Sequence, residues 1–376
     1  MNVSYWEIET YFNHVDLTII GSGIVGLTAA IETKKKHPNL KVIVLERGTL
    51  PLGASTKNAG FSCFGSVSEL LSDLKKTSEN EVGILLEKRW KGLQKLRQTI
   101  GDLPMDYFQH GGYEIFNDEE FYSECESKIP YLNDLMKRQL GLNEVYRTAH
   151  HKIKEFGFSK VPFMIENSYE GQINTGKMMI RLIQIAQQLG VIILNALEVE
   201  SIQETQNYVT IQLTNGLDFT TKKIIIATNG FAKQLLPELD VLPARAQVLI
   251  TEPIPNLKIQ GTFHYDEGYY YFRNIDQRIL LGGARNADFK GEETYTMEVT
   301  TMIQNKLEEL LATVILPDQP YEIAHRWSGI MGVGETKTTI VKQISENVFC
   351  SVRMGGMGVA IGSLIGSEVA ELVYGS

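Results

Sequence analysis

Short apolar runs alternate with helical patterns at the start of the chain. Residues 15–20 (VDLTII) and 40–46 (LKVIVLE) are mainly apolar stretches flanked by polar residues, which is typical of strands buried on both faces. A glycine turn and a helix predicted over residues 23–36 lie between them. This order predicts two parallel strands joined by a right-handed crossover.

Later segments divide into helical and alternating patterns. Helices are predicted over residues 81–100, 174–189, 295–313 and 358–373. Strands are predicted over residues 191–195, 197–204, 208–213, 222–227 and 348–352. Residues 244–285 alternate between apolar and polar positions with tight turns, which indicates antiparallel sheet, whereas residues 100–165 are less regular. The ends and the middle are therefore predicted to form nucleotide-binding α/β structure, and the segments between them α+β structure.

Composition narrows the class of protein. The chain has 376 residues, of which 43% are hydrophobic, and a formal net charge of −9. The hydrophobic content excludes a disordered chain, and the acidic balance argues against nucleic acid as a partner, because phosphates attract basic surfaces. The sequence predicts neither a signal peptide nor an integral membrane segment, because no basic leader and no run of roughly 20 apolar residues occurs. We expect a cytoplasmic protein.

Cysteine usage points to a reducing compartment. Cys63, Cys125 and Cys350 are odd in number and show no CxxC spacing. This pattern predicts neither a disulfide framework nor a zinc site, so we expect buried thiols and no bound metal.

A glycine-rich turn between the first strand and the first helix is the strongest chemical signal. The residues that match the G-x-G-x-x-G fingerprint are Gly21, Ser22, Gly23, Ile24, Val25 and Gly26. In this fingerprint the glycines allow a tight turn, close approach of a pyrophosphate and helix–strand packing. Glu46 ends the second strand and can accept hydrogen bonds from ribose hydroxyls, with Arg47 beside it. The pattern predicts a dinucleotide site and leaves FAD and NAD open.

A second loop, Gly53 to Phe61 (GASTKNAGF), resembles a stretch of the D-amino-acid oxidase superfamily of FAD enzymes. That superfamily includes glycine oxidase, sarcosine oxidase and gamma-glutamylputrescine oxidoreductase. Small residues let the chain pass close to a pyrophosphate and a flavin, and Ser55 or Thr56 can donate to phosphate. The resemblance assigns to FAD the residues Ser55, Thr56, Lys57, Asn58, Ala59, Gly60 and Phe61.

Further segments extend the resemblance from about residue 15 to the C-terminus. Residues 224–230 resemble the superfamily's turn beneath the flavin, residues 269–283 its substrate hairpin, and residues 353–360 its C-terminal flavin motif. In that last motif a helix N-terminus stabilises negative charge on the reduced ring. The other cofactor residues that the resemblance implies are Val199, Ala227, Thr228, Asn229, Gly230, Gly355, Gly356, Met357, Gly358 and Val359.

The resemblance also implies the fold. It predicts a Rossmann-type FAD-binding domain with a glutathione-reductase-like parallel sheet, and an interleaved substrate domain built on a mainly antiparallel sheet. We assign residues 1–95, 165–235 and 325–376 to the FAD-binding domain. Residues 96–164 and 236–324 are assigned to the substrate-binding domain, with no linker-like tract between the two.

Departures from the superfamily pattern bear on how FAD is held. Relatives that link FAD through histidine carry it in the early loop, where this chain has Asn58. Sarcosine oxidases use a cysteine just before their C-terminal flavin strand, and the similar stretch 325–329 (HRWSG) has none. Met357 stands where many relatives have a histidine. We therefore expect non-covalent FAD.

Other departures bear on the substrate. Residues 329–332 (GIMG) replace a Gly-Leu-Arg-Pro stretch whose arginine pairs with a substrate carboxylate in relatives. Loss of that arginine, which grips a carboxylate through two hydrogen bonds, disfavours a simple α-amino acid as the substrate. Arg326, Arg273 or Arg285 can take its place. Residues 334–337 (GETK) replace a Thr-Pro-Asp stretch, so the loop geometry of relatives does not carry over.

The resemblance implies oxidation of a C–N bond, in which a neutral amine loses hydride to flavin N5 and the imine is hydrolysed, with no strong general base. The candidate catalytic residues are Trp327, Tyr271, Arg273, Tyr269 and Lys57. Tyr269, Tyr271 and Arg273 share one face of a strand, and aromatic walls exclude water and hold cationic groups. Lys57 would place positive charge near the ring. The alternatives are core positions for the aromatics and a solvated position for Lys57.

The predicted function is FAD-dependent oxidation of a small-molecule amine or N-substituted amino acid, with O2 or another electron acceptor. An oxidase or dehydrogenase of the glycine or D-amino-acid type is one alternative. A nicotinamide-dependent dehydrogenase and a flavoprotein without amine turnover are the others. The second loop and the C-terminal glycine helix favour FAD, because a nicotinamide enzyme needs neither.

Overall fold

The structure, a computed structural model, describes residues 2–375 and arranges the chain around two large β-sheets. In chain order the strands are β1 Val15–Ile20, β2 Val42–Leu45, β3 Phe61–Ser62, β4 Gly112–Phe116, β5 Tyr146–Thr148, β6 Phe163–Asn167, β7 Gly171–Gln172, β8 Ile192–Leu194, β9 Val199–Glu204, β10 Val209–Leu213, β11 Asp218–Ile226, β12 Leu242–Thr251, β13 Thr262–Tyr265, β14 Tyr270–Ile275, β15 Arg278–Gly283, β16 Ile323–Val333, β17 Ile340–Gln343 and β18 Val348–Val352. The α-helices are α1 Tyr5–Glu7, α2 Ile24–Lys36, α3 Ala54–Lys57, α4 Val67–Leu74, α5 Glu79–Ile100, α6 Glu119–Ser127, α7 Ile129–Leu140, α8 His151–Phe156, α9 Thr175–Gln188, α10 Thr301–Leu310 and α11 Gly358–Tyr374. Short 3-10 or π segments are Ile8–Phe12, Leu103–Met105, Asn229–Gln234, Arg285–Ala287 and Leu311–Ile315.

The first sheet is mainly parallel and has the order β17–β18–β11–β1–β2–β8, with β9 and β10 attached through β11. β1 pairs in parallel with β2 and β11, as the predicted crossover requires. Leu17 and Ile19 pack in one apolar cluster with α2, α5 and α11, and Ile20 packs on the opposite side with β10. Burial on both faces explains why this strand is a continuous apolar run.

The second sheet has the order β16–β12–β15–β14–β13–β4–β6–β5 and is antiparallel except for the β13–β4 pair. Phe263 and Phe272 stack across β13 and β14 with ring centroids 4.7 Å apart. They share an apolar cluster with Leu307 of α10. One face of the sheet is therefore core, and the other is free to face the first sheet.

The predicted fold class is confirmed, with a parallel sheet and a mainly antiparallel sheet in one chain. The strands at residues 15–20 and 348–352 have the predicted bounds. The helix predicted over residues 295–313 begins at Thr301 instead. The preceding segment is held extended, because the Thr300 amide donates to Gln247 Oε1 at 2.8 Å and Arg245 donates to the Thr296 carbonyl at 3.4 Å.

The sequence did not predict the short strands β3, β7 and β17 or the strands β4, β5, β6 and β16. β6 and β16 both belong to the second sheet, and they span the predicted domain boundaries at 164/165 and 324/325. The domain division itself stays a prediction. Within residues 2–375, no helix combines the length and the apolar character needed to cross a membrane.

Candidate active site

A cavity of about 570 Å³ lies where the carboxyl ends of β1, β2 and β11 face the second sheet. This volume is within the range of ligand sites in proteins, about 300 to 1,000 Å³. The carboxyl ends of parallel strands are also the usual place for a nucleotide in α/β folds. The wall combines the turn after β1, the second loop and residues 354–360 with side chains from strands β12 to β16.

The turn between β1 and α2 is built from glycines whose neighbours leave no room for a side chain. Gly21 has a φ of +107°, and a Cβ there would lie 2.8 Å from the carbonyl oxygen of Ala227. A Cβ at Gly26 would overlap the carbonyl oxygen of Gly21. Strand, turn and helix are therefore in backbone contact. The N-terminus of α2 faces the cavity, where its free N–H groups favour an anion.

Glu46 lies on the cavity wall at the end of β2. Its Oε2 accepts hydrogen bonds from the Ser22 hydroxyl at 2.7 Å and the Ser22 amide at 3.3 Å, and its Oε1 accepts from the Gly48 amide at 3.0 Å. These bonds fix the carboxylate and leave lone pairs for further donors. Arg47 stacks on Phe231, with its guanidinium carbon 3.8 Å from the ring centroid.

The second loop is held in place by its own side chains. Ser55 Oγ accepts a hydrogen bond from the Ile24 amide at 3.0 Å, which ties the loop to α2. Asn58 Nδ2 donates to the Ser55 carbonyl at 2.9 Å. Thr56 donates to the Pro51 carbonyl at 2.6 Å and does not line the cavity, so Ser55 is the better placed of the two predicted phosphate donors.

The turn after β11 and the turn before α11 close the cavity together. Asn229 has a φ of +46°, and its Oδ1 accepts hydrogen bonds from the amides of Arg353 and Met354, both at 3.1 Å. Gly355 and Gly356 adopt φ values of +57° and +83°, in the left-handed region that glycine enters without strain. These turns bring the N-terminus of α11 to the cavity.

Most residues predicted to bind the cofactor line this cavity. They are Gly21, Ser22, Gly23, Ile24, Val25, Glu46, Arg47, Ser55, Lys57, Asn58, Ala59, Gly60, Phe61, Val199, Ala227, Thr228, Asn229, Gly355, Gly356, Met357, Gly358 and Val359. Gly26, Thr56 and Gly230 lie behind the wall. Gly230 is a packing position, because a Cβ there would lie 2.5 Å from the Met331 carbonyl oxygen.

Two tyrosines line the cavity from the second sheet. Tyr269 and Tyr271 face the cavity, while Tyr270 and Phe272 pack in the apolar cluster on the opposite side, as strand alternation requires. Burial raises the pKa of Tyr271 to about 12. Its phenol therefore stays protonated at neutral pH and can donate a hydrogen bond.

Of the three arginines that could hold a carboxylate, Arg285 lines the cavity. Its guanidinium carbon lies 4.9 Å from the centroid of the Phe289 ring. Its buried Nε has no hydrogen-bond partner among residues 2–375, and burial lowers its pKa. Because it lines the cavity wall, Arg285 can meet an anionic ligand there.

The other two arginines lie outside the cavity wall. Arg326 donates to Gln304 at 2.6 Å and to Glu308 at 2.8 Å. Arg273 is buried, and its Nη1 donates to the Gly60 carbonyl at 3.4 Å. Burial lowers the pKa of Arg273 to about 10. This placement differs from the prediction that Arg273 lines the pocket, because its guanidinium supports the second loop from behind.

Trp327 also lies behind the wall rather than in the predicted pocket. Its Nε1 donates to the Lys57 carbonyl at 2.9 Å, and its ring stacks on His325 with centroids 5.7 Å apart. The Lys57 side chain lines the cavity and packs on Gly329, where a Cβ would lie 2.6 Å from Lys57 Cβ. Trp327 therefore positions the loop that carries Lys57.

Comparison with known proteins identifies the family. The family model described as FAD dependent oxidoreductase matches residues 16–372. This chain belongs to that family. FAD is accordingly the cofactor of this oxidoreductase.

Individual members of the family resemble the chain along most of its length. The probable oxidoreductase OrdL of Haemophilus influenzae is 22% identical over 402 residues, covering 97% of this chain and 84% of that protein. Glycine oxidase from Geobacillus kaustophilus has a TM-score of 0.76 at 20% identity, covering 95% of this chain and 94% of that one. Iminodiacetate oxidase (IdaA) from Chelativorans sp. BNC1 has a TM-score of 0.76 at 17% identity, covering 96% and 95%. At these identities the two solved structures establish a shared fold.

The residues of this family member fit FAD. The glycine turn borders the cavity at the N-terminus of α2, and Glu46 is held where a ribose hydroxyl can donate to it. Thr228 lines the cavity, and its buried hydroxyl has no partner among residues 2–375. A buried polar atom without a partner is costly, so a ligand that bonds to it is favoured.

An ion-pair cluster at one end of the cavity was not predicted. Lys337 lines the cavity, and its Nζ lies 2.9 Å from Glu69 Oε1 and 2.8 Å from Asp73 Oδ1. Arg89, itself buried, donates to Glu69 at 3.0 Å. Burial opposes the charge on Glu69, but the charges of Arg89 and Lys337 outweigh it and hold its pKa well below the ordinary value. The 334–337 segment is thereby fastened to α4.

A second group missed by the sequence is Cys63, Glu170 and His264. Cys63 and His264 line the cavity, and Glu170 is buried beside them. The three residues are more than 90 positions apart in sequence, so no local spacing connects them. Their proximity depends on the pairing of β3 with β7 and on the place of β13 in the second sheet.

Proposed function

We propose that the protein oxidises a C–N bond in an amine or an N-substituted amino acid, by hydride transfer to flavin N5 followed by hydrolysis of the imine. The observation that carries the proposal is one continuous cavity, which runs from the glycine turn at residues 21–26 to a wall with Tyr271 and Arg285. Bound FAD supplies the hydride acceptor, and the protein holds and orients the partners.

In this proposal the cofactor is held without a covalent bond. The N-terminus of α2 and the Ser55 hydroxyl would hold the pyrophosphate, and Glu46 would hold the ribose. The N-terminus of α11 would stabilise negative charge on the reduced ring. The two sheets would then correspond to a cofactor domain and a substrate domain, with the boundaries adjusted for β6 and β16.

The second sheet would hold the substrate. Tyr269 and Tyr271 give the cavity an aromatic wall that excludes water and favours an alkylated amine. The Tyr271 phenol, protonated at neutral pH, can donate to the substrate. Lys57 would contribute positive charge at the cavity, and either O2 or another acceptor would complete the reaction.

A carboxylate on the substrate is favoured by Arg285. Arg285 borders the cavity, and its guanidinium lies over the Phe289 ring. Guanidinium groups bind carboxylates through paired hydrogen bonds. This observation favours an N-substituted amino acid over a plain amine, and it supports an α-amino acid as the second candidate substrate.

Anaerobic titration of the purified protein with amines and N-methyl amino acids tests the proposal. We expect a yellow flavin spectrum that passes into the supernatant after acid precipitation, and bleaching of the bound flavin by an N-substituted amino acid. Colour that stays in the pellet would contradict non-covalent binding. A flavin that no amine or amino acid reduces would instead indicate a flavoprotein without amine turnover.

A further inference from the structure

The group formed by Cys63, Glu170 and His264 has no role in the proposed function. One thiol sulfur, one carboxylate oxygen and one imidazole nitrogen lie within 4.8 Å of one another. The ligands of one tetrahedral zinc ion are roughly 3.2 to 3.8 Å apart, because their bonds to the metal measure about 2.0 to 2.3 Å. Side-chain movements of about 1 Å or less would therefore bring all three donor atoms onto one ion.

Strands β3 and β7 place two of these donors next to each other. β3 ends one residue before Cys63, and β7 begins one residue after Glu170. The antiparallel pairing of the two strands therefore sets Cys63 opposite Glu170. Glu170 Oε1 accepts hydrogen bonds from the amides of Phe64 at 3.2 Å and Gly65 at 3.4 Å. Such backbone anchoring of a carboxylate is typical of the outer contacts that orient metal ligands.

His264 meets this pair from the second sheet. Its Nε2 lies 3.7 Å from Glu170 Oε2, which is beyond hydrogen-bond distance, and it is buried without a hydrogen-bond partner among residues 2–375. The imidazole is held by an edge contact with the Phe61 ring, at a centroid distance of 5.4 Å. A buried nitrogen without a partner is costly, and an ion between it and the carboxylate would satisfy both groups.

The charges of the group favour a cation. Glu170 is 1% exposed, and its ion-pair partner among residues 2–375 is His264. A thiolate, a carboxylate and a neutral imidazole together carry two negative charges, which one divalent ion neutralises. Burial makes this neutrality favourable, since an uncompensated buried charge is costly. Burial also raises the pKa of the Cys63 thiol, and a coordinated metal ion is what holds such a thiol as thiolate.

We propose that Cys63, Glu170 and His264 bind one divalent metal ion of the zinc class, with a fourth coordination position that faces the cavity. Thiolate, imidazole and carboxylate are ligands of zinc, whereas magnesium and calcium take oxygen ligands. Cys63 and His264 line the cavity, which gives the ion an entry path. The expectation of no bound metal used cysteine spacing along the chain, which does not register ligands from three separate segments.

Zinc binding by the FAD-loaded protein, purified without a histidine tag, tests this inference. The protein is dialysed against a chelator and titrated with Zn²⁺, and the readouts are calorimetry and elemental analysis. We expect one zinc ion per chain with a Kd below about 1 µM, and a higher Tm for the zinc-bound protein. Excess Mg²⁺ should not compete, because sulfur and nitrogen ligands do not suit it.

Substitution of each ligand makes the test specific. Cys63→Ser and His264→Leu should each weaken zinc binding more than about 100-fold, since even the loss of an outer contact costs about 10- to 100-fold. Glu170→Gln keeps one weakly binding oxygen and should lose about 10- to 100-fold. FAD content shows whether each variant is folded, and Cys63→Ser, the smallest change, serves if the others lose FAD. Cys350→Ala, at a buried free thiol, and His151→Asn, at an exposed histidine, are the controls and should bind zinc as wild type does.

Two outcomes would overturn the inference. One is a wild-type protein that takes up no zinc, in which case a proton shared by His264 and Glu170 occupies the position of the ion. The other is zinc binding that Cys63→Ser and His264→Leu leave unchanged, which would place the ion elsewhere. Flavin reduction by amines is not a readout here, so neither outcome bears on the proposed function.

Discussion

The two sides of the cavity are built by different means. The side proposed to hold the cofactor, here called the cofactor side, is made largely of backbone, where glycines at 21, 26 and 230 bring strands, helix and turns into direct contact. The side proposed to hold the substrate, here called the substrate side, is made of side chains such as Tyr271, Arg285 and His264, which reach the cavity from different strands and turns. At these three glycines the backbone side leaves no room for an added atom, whereas the side-chain side can change its ligand by single substitutions. Substitutions on the cofactor side should therefore lower stability and FAD content, whereas substitutions on the substrate side should change the KM for substrate.

The largest effect is expected at Gly26, where an added methyl group would overlap the Gly21 carbonyl oxygen. Gly26→Ala should destabilise the fold by about 3 kcal/mol or more and abolish FAD binding, because backbone cannot move aside as a side chain can. Urea unfolding and the FAD content after purification measure both effects. Gly176→Ala is the matched control, because Gly176 is an exposed position outside the cavity wall where a Cβ meets only Asn174 Oδ1, at 3.5 Å. A stable Gly26→Ala protein with full FAD content would contradict the backbone description of this side.

On the substrate side, Arg285→Met should leave FAD content unchanged and raise the KM for a carboxylate-bearing amine about 10- to 100-fold, the cost of one charged hydrogen-bonding partner. The KM for the same amine without its carboxylate should stay constant. Arg326→Met is the control, since Arg326 pairs with Gln304 and Glu308 outside the cavity. Loss of FAD in Arg285→Met would mean that the two sides are not separable.

The ion pairs at the end of the cavity predict a specific pH dependence of stability. Because the pKa of Glu69 in the folded protein lies below its ordinary value of 4.5, its stabilisation is present above about pH 4.5 and is lost as the pH falls further. Glu69→Gln should lower the free energy of unfolding by about 2 kcal/mol at pH 7 and flatten its decline in acid. Glu335→Gln, at an exposed position in the neighbouring loop, should change neither. Equal acid slopes for wild type and Glu69→Gln would show that other carboxylates dominate.

The smallest effect is expected where the second sheet supports the second loop. Trp327→Phe removes the bond from Nε1 to the Lys57 carbonyl and should lower stability by about 1 kcal/mol, with a change in FAD affinity of no more than a few-fold. Thermal unfolding and equilibrium dialysis of FAD measure these quantities. Trp6→Phe, at a side chain that is 74% exposed, is the control. A complete loss of flavin reduction by amines in Trp327→Phe would place this side chain in contact with the substrate after all.

That the residues on the cofactor side line one cavity could be predicted from sequence, because the signals there are local. The turn at Gly21, the acid at Glu46 and the second loop follow one another within about 40 residues, and each needs a specific residue type for a backbone reason. The central strands were predicted for the same reason, since burial on both faces leaves a continuous apolar run. The family resemblance added the C-terminal glycine motif.

The substrate side could not be predicted to the same extent, because its contacts depend on strand register and on long-range pairing. Whether Arg273 or Arg285 lines the cavity is decided by the turn after β15, which no local pattern encodes. Trp327 was expected in the pocket, but its place in β16 turns its Nε1 to the Lys57 carbonyl. Glu170 and His264 meet only through sheet topology, which composition and spacing do not reveal.

The closure of the cavity by the turn before α11 has a consequence for biosynthesis. β18 and the Gly355–Gly358 turn come more than 300 residues after β1, yet both are needed to complete the cradle for FAD. A chain that grows from its N-terminus on the ribosome therefore exposes the glycine turn of α2 long before the opposite wall has been made. The cofactor is expected to be captured after translation of residue 360, as one of the last steps of maturation.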